Sequence, residues 1–174
     1  LTADFESIAT ETLTSNASTI TFSSIPSTFA HLQVRIIGRT TRPDGVDYAT
    51  LRFNGNSSSI YSSHDMYTNG NTSPQTDRNL NQSSLVVQRF ATNVGAANVF
   101  SAMIIDILDY KETTKFKTLR WHFGYSDGNT TMSRAGLSSG LWASTSAISS
   151  MSFQSGYGEN YIAGTRFALY GIRG

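Results

Sequence analysis

Thr165-Arg166-Phe167-Ala168-Leu169-Tyr170-Gly171-Ile172-Arg173-Gly174 alternates apolar with polar or small residues. That is the period at which successive side chains point to opposite faces of a sheet. Phe167, Leu169 and Ile172 read as facing inward, which requires a bulge near Gly171 to reset the phase. A second stretch carries the same signal more cleanly. In His31-Leu32-Gln33-Val34-Arg35-Ile36-Ile37-Gly38-Arg39-Thr40, the apolar Leu32, Val34 and Ile36 share one face and Gln33 and Arg35 the other.

Working outward, strand signals recur at short spacing over residues 5–13, 19–22, 48–53, 84–90, 97–109, 115–125, 133–141 and 147–153. Turn clusters separate them. Arg42-Pro43-Asp44-Gly45-Val46-Asp47 combines a proline that fixes φ with a glycine that permits φ above zero, so a hairpin is expected between the strands on either side. Residues 124–129 and 156–160 carry further loop signals. About nine strands and no helix of normal length predict an all-β, antiparallel β-sandwich, jelly-roll-like, and argue against alternating β-α units. No internal repeat of solenoid or propeller length is present.

Residues 54–81 stand apart. They are dense in Asn, Ser, Gly and Thr yet hold Ile60, Tyr61, His64, Met66 and Tyr67. The segment reads as one long polar loop, with Ile60, His64 and Tyr67 at i, i+4 and i+7 suggesting one or two helical turns. A connection this long is usually functional. Tyr61, His64 and Tyr67 are therefore the candidate partner-contact residues.

Length predicts a single domain spanning residues 1–174, large enough to bury about 70% of the surface its unfolded form exposes. The absence of cysteine excludes disulfides, thiolate zinc sites and cysteine nucleophiles. Charged residues are only 14% of the chain, the net charge is +1, and the arginines are scattered, so no basic stripe marks a nucleic-acid partner. Ser, Thr and Asn make up more than a quarter of the sequence and take the place of charge on the outer faces and turns. The apolar run at 100–108 is interrupted by Ser101 and Asp106 and falls far short of the roughly 20 residues that span a bilayer. No membrane partner and no export leader are expected.

Catalytic and cofactor constellations are weak. Asp106 and Asp109 fall on opposite faces of a regular strand, and Asp44 and Asp47 share a turn, so neither pair suits glycoside cleavage. His31, His64 and His122 lack metal-ligand spacing. No Gly-x-Ser-x-Gly elbow frames a serine, and the glycines between 136 and 140 are not followed by a helix that could cradle phosphate. Catalytic, cofactor and metal residues are thus read as none. Sequons at Asn16, Asn56, Asn71, Asn81 and Asn129 are expected by chance in this composition. The loop aromatics Tyr61, Tyr67, Tyr125, Tyr157 and Tyr161 in Ser/Gly/Asn-rich surroundings suit recognition of a sugar or a protein surface.

Two blocks carry a resemblance. Ile20-Thr21-Phe22-Ser23-Ser24-Ile25-Pro26-Ser27-Thr28-Phe29-Ala30-His31-Leu32-Gln33-Val34-Arg35 and Ala163-Gly164-Thr165-Arg166-Phe167-Ala168-Leu169-Tyr170-Gly171-Ile172 bracket nearly the whole chain. Their pattern resembles small virion structural proteins of tailed bacteriophages, of the capsid decoration (cement) or tail-fibre type. The resemblance implies a β-sandwich on the particle exterior and brings no catalytic residues. The expectation is a decoration protein, a homo-oligomer and specifically a trimer, that binds the major capsid protein through residues 1–5 and 54–81. The alternative is a tail-fibre or spike domain that binds a host glycan. A carbohydrate-active enzyme is a remote third, by analogy of fold alone.

Overall fold

The computed structural model describes residues 4–70, 73–126 and 133–174. Leu1 to Ala3, sequons Asn71 and Asn129, and the second half of the loop signal at 124–129 lie outside the described residues. Twelve strands form among those described: β1 (Phe5–Thr12), β2 (Thr19–Phe22), β3 (His31–Gly38), β4 (Asp47–Phe53), β5 (Tyr61–Asn69), β6 (Gln75–Gln82), β7 (Leu85–Phe90), β8 (Ser101–Ile107), β9 (Lys117–Tyr125), β10 (Arg134–Trp142), β11 (Met151–Ser155) and β12 (Arg166–Ile172).

The strands pair antiparallel in two sheets packed face to face. The larger runs β1-β12-β3-β8-β9-β10-β5-β6 and the smaller β2-β11-β4-β7. With β5, β6, β9 and β10 set aside, the remaining eight strands order as first-eighth-third-sixth in one sheet and second-seventh-fourth-fifth in the other. This is the jelly-roll arrangement of interlocked Greek keys. The other four strands are two hairpin insertions that extend the larger sheet on one side. β9 joins β8, β10 joins β9, and β5, from a different insertion, closes on β10 with β6 outside it.

Among its described residues the segment 54–81 is therefore not one long loop and holds no helix: 61–69 and 75–81 are strand. The burial pattern of β5 alternates from Tyr61 to Tyr67, because Tyr61, Ser63, Asp65 and Tyr67 face inward while Ser62, His64 and Met66 face out. The i, i+4, i+7 spacing of Ile60, His64 and Tyr67 is coincidental. Strand number rises from about nine to twelve chiefly because these two polar strands carry little apolar alternation to announce them.

Aromatic rings fill the space between the sheets. Phe53 of the small sheet packs against Trp142 and Tyr61 of the large one, with centroids at 5.4 and 6.4 Å. At the other end Phe153 meets Phe167 at 5.1 Å, Phe167 meets Tyr161 at 5.2 Å, and Tyr161 meets Phe90 at 5.6 Å. All of these rings are essentially inaccessible to water. Small residues make room where rings cross: the inward side of β10 is Gly136, Ser138 and Gly140, and a Cβ at Gly140 would press on the Trp121 ring. The glycines at 136 and 140 serve packing.

Lys117 is also fully buried. Its Nζ donates to the carbonyls of Glu112, Lys115 and Thr145 at 2.5, 2.9 and 3.3 Å. Three donors with three carbonyl acceptors satisfy an ammonium without a carboxylate, and desolvation holds its pKa below the ordinary lysine value.

The C-terminal strand keeps its phase. β12 pairs with β3 without interruption through Ile172, and the irregularity lies in β1, between Ser7 and Ala9. Phe167 and Leu169 are buried as expected, but Ile172 is not the next inward position. Gly171 is, and the ring of Phe29 occupies the place a side chain there would take. Gly171→Ala should therefore lower stability by about 1–3 kcal/mol through overpacking, read as a lower midpoint in urea denaturation; an unchanged midpoint would show that Phe29 yields at no cost.

Candidate functional site

The outer face of the eight-stranded sheet is assembled row by row from cross-strand partners. One row runs Arg35, Ile104, His122, Leu137, Met66 and Thr76 across β3, β8, β9, β10, β5 and β6. The row beside it runs Ile37, Ala102, Gly124, Ala135 and Thr68. Ile37, Met66 and Leu137 are each 48% exposed and Ile104 is 44% exposed, so this stripe is solvated. With strands about 4.8 Å apart it extends roughly 20 Å from β3 to β5. A shallow hollow of about 530 Å³ lies at its β5 end, lined by His64, Met66, Thr76, His122 and Leu137 among others.

A polar row flanks the stripe on its other side: Gln33, Asp106, Arg120, Ser139, His64 and Arg78. Its members bond along the face. Gln33 Nε2 donates to Asp106 Oδ1 at 2.8 Å, Arg120 Nε to Asp106 Oδ2 at 3.0 Å, and Arg35 Nε to Gln33 Oε1 at 2.9 Å. Arg35 in turn lies 4.9 and 5.1 Å from the ring centroids of Phe5 and Tyr170, which stack on each other at 4.7 Å. Exposed pairs of this kind contribute little stability. They hold Arg35, Gln33, Asp106 and Arg120 to one another beside the apolar stripe.

Of the three residues singled out in 54–81, only His64 reaches this face. Tyr61 is completely buried, its hydroxyl accepting from Phe53 N at 3.1 Å and donating to Asn56 O at 3.0 Å. Tyr67 is 9% exposed, with the Arg89 guanidinium 4.2 Å from its ring centroid. Both are core residues and cannot serve as partner contacts, because in a strand the odd positions that carry the tyrosines point inward. Tyr161 is likewise buried, and burial drives its hydroxyl pKa well up. Tyr157 is exposed.

The acid pairs read from sequence are separated or engaged. Asp106 belongs to the outer row, whereas Asp109 lies beyond β8, in contact with Lys115 and His31. Asp47 is buried and accepts from Ser155 Oγ at 2.8 Å, while the exposed Asp44 pairs with Arg42. Among the described residues no group of three or more His, Asp or Glu could hold a metal ion.

An acid pair that sequence reasoning missed is Asp65 and Asp77, directly opposite each other across β5 and β6. Recognising it required recognising both strands. Asp65 is 3% exposed. Ser138 Oγ donates to its Oδ1 at 2.5 Å, and its Oδ2 has no hydrogen-bond partner. Burial raises its pKa above the ordinary aspartate value, and the neighbouring Asp77 adds to the shift. Two ionised carboxylates opposite each other on one face would repel, so a proton on Asp65 relieves both that repulsion and the cost of a buried charge.

The consequence for stability has a definite sign. Between the unfolded carboxyl's value near 4 and the raised folded value, the native state holds a proton that the unfolded chain has lost, so stability falls as pH rises through that window. Asp65→Asn should remove this dependence. In urea denaturation between about pH 4 and pH 7, the variant should gain on the parent as pH rises; parallel stability profiles would show that Asp65 is ionised in the folded protein.

No protein-family model matches the chain, and neither a curated protein nor a solved structure matches it.

Proposed function

We propose that this chain is a non-enzymatic structural protein of a bacteriophage virion, a decoration protein that docks on the outside of the capsid through the outer face of its eight-stranded sheet. The observation that carries the docking mode is the solvated stripe of Ile37, Ile104, Leu137 and Met66 on β3, β8, β10 and β5, with His122 of β9 between Ile104 and Leu137. Four large aliphatic side chains exposed on one sheet face mark a surface that is covered by a partner. The identification of that partner as capsid protein rests on the resemblance of residues 20–35 and 163–172 to tailed-phage virion proteins.

The mode of attachment follows from the architecture. A sheet eight strands wide is rigid along its ladder, so its face meets a partner without losing much conformational freedom. Assembly as a trimer would repeat a modest contact three times, and linked contacts reinforce one another through effective concentration. The polar row on Asp106 and Arg120 would then set orientation more than affinity.

Purified protein added to phage heads that lack it should appear by cryo-electron microscopy as density at symmetric positions on the shell. Leu137→Glu/Ile104→Lys, which leaves the core untouched, should weaken that binding by at least about tenfold, since each exposed aliphatic removed from an interface centre is worth on the order of 1 kcal/mol or more. Bare shells with the parent protein would refute the decoration role; undiminished binding of the variant would refute the docking face.

A further inference from the structure

We propose a second site, separate from the docking face: the cleft between β6 and the β4–β7 margin of the small sheet binds a neutral saccharide through a pyranose unit. The hairpin insertion creates it. β7 packs over β5, β9 and β10, and β6 lies one strand farther out with seven of its eight residues exposed. Its inward side therefore forms a wall with open space beneath it. The resulting cleft has a volume of about 330 Å³, at the lower end of the range for small-molecule sites.

The groups that meet there are of mixed kind. Asp77 and Asn79 come from β6, Gln82 from its end, Arg89 from β7, Tyr48 from β4, and Tyr157 from the loop after β11. Arg89 Nε is enclosed and has no hydrogen-bond partner. Behind Arg89 and Asp77 lies Asp65, close enough to both for charge interaction, with its own Oδ2 unpartnered. Polar groups withdrawn from water without partners are costly and are normally satisfied by something.

The aromatic part is held in place. Tyr48 and Tyr157 meet edge to face with centroids 5.0 Å apart, and the Arg42 guanidinium stands 3.2 Å from the Tyr157 centroid. A Cβ at Gly156 would overlap the Tyr48 ring, so the chain can pass this close only with glycine there. Tyr157 nevertheless remains 57% exposed, which leaves ring surface for a ligand.

This combination selects the ligand class. Asp77 and Arg89 offset each other, so the cleft presents no field of one sign to favour an anion or an amine, whereas a hydroxyl both donates and accepts and can meet both groups. Adjacent sugar hydroxyls can donate to Asp77 and accept from Arg89, and the amide oxygens of Asn79 and Gln82 can accept from further hydroxyls, their nitrogens already donating to Ser63 Oγ and Leu80 O. The apolar C–H face of a pyranose stacks on an exposed tyrosine ring, which presents a rigid amphipathic surface at small entropic cost.

The test is saturation-transfer NMR with the methyl glycosides of glucose, galactose, mannose and N-acetylglucosamine as probes. Irradiating the protein's aromatic protons should transfer saturation to at least one of them. The double variant Asn79→Ala/Tyr157→Ala should bind that glycoside about tenfold more weakly or worse, as expected for losing one hydrogen bond and one stacking contact. Binding to phage heads should stay unchanged in the same variant. Transfer to none of the four glycosides, or equal affinity in parent and double variant, would overturn the assignment.

Discussion

The ladder between β10 and β5 holds nine consecutive residue pairs, from Arg134 opposite Asn69 to Trp142 opposite Tyr61. It joins two insertions that enter the jelly roll at different points of the chain, one between β4 and β7 and the other between β8 and β11. Without it, the larger sheet would end at β10 and β5 and β6 would be an isolated hairpin, which is marginal in water. The ladder's inward ends carry its anchor: Trp142 and Tyr61 stack with planes 16° apart, and both rings approach Phe53 of the opposite sheet. Pairing and packing thus coincide at one corner of the molecule.

Both candidate surfaces are products of that join. The apolar stripe needs Leu137 and Met66 to sit side by side, and they do so only as register partners on β10 and β5. The cleft needs β6 to stand beyond the small sheet, which happens only because β5, its neighbour in the large sheet, is already fixed on β10. Extension of a jelly-roll sheet past its partner sheet has a general consequence. One face of the added strands becomes a broad plate and the other becomes an overhang, so a single insertion supplies two surfaces of different chemistry.

Two buried cations tie irregular connections to the strands beside them. Arg39 is 5% exposed and donates to the carbonyls of Gly95, Ala96 and Val99, tying the β7–β8 connection to the end of β3. Lys117 does the same for the turn between β8 and β9. In each case a cation replaces the backbone pairing that an irregular segment lacks, since unpaired carbonyls in the interior are costly. Asp65 differs, because its partner set is incomplete and burial raises its pKa.

What the sequence determined is the parent fold. His31 to Gly38 and Arg166 to Ile172 are strands because their apolar residues recur with period two over a buried face, a local signal that survives without any neighbour. The all-β class, the jelly-roll likeness and most strand positions followed from such signals. β5 and β6 were not legible: their outward faces mix Ser62, His64 and Met66 with Thr76 and Arg78, and the inward face of β5 includes Ser63 and Asp65, so alternation of hydropathy is weak even though alternation of burial from Tyr61 to Tyr67 is strict. A helical spacing at Ile60, His64 and Tyr67 could therefore pass for a signal. The tertiary structure alone decided that Tyr61 and Tyr67 are core, that His64 is not, that Gly171 makes room for Phe29, and that Asp65 faces Asp77. Each of these depends on strand register between segments far apart in the chain, and register is set by which faces can be buried together once the sheets close.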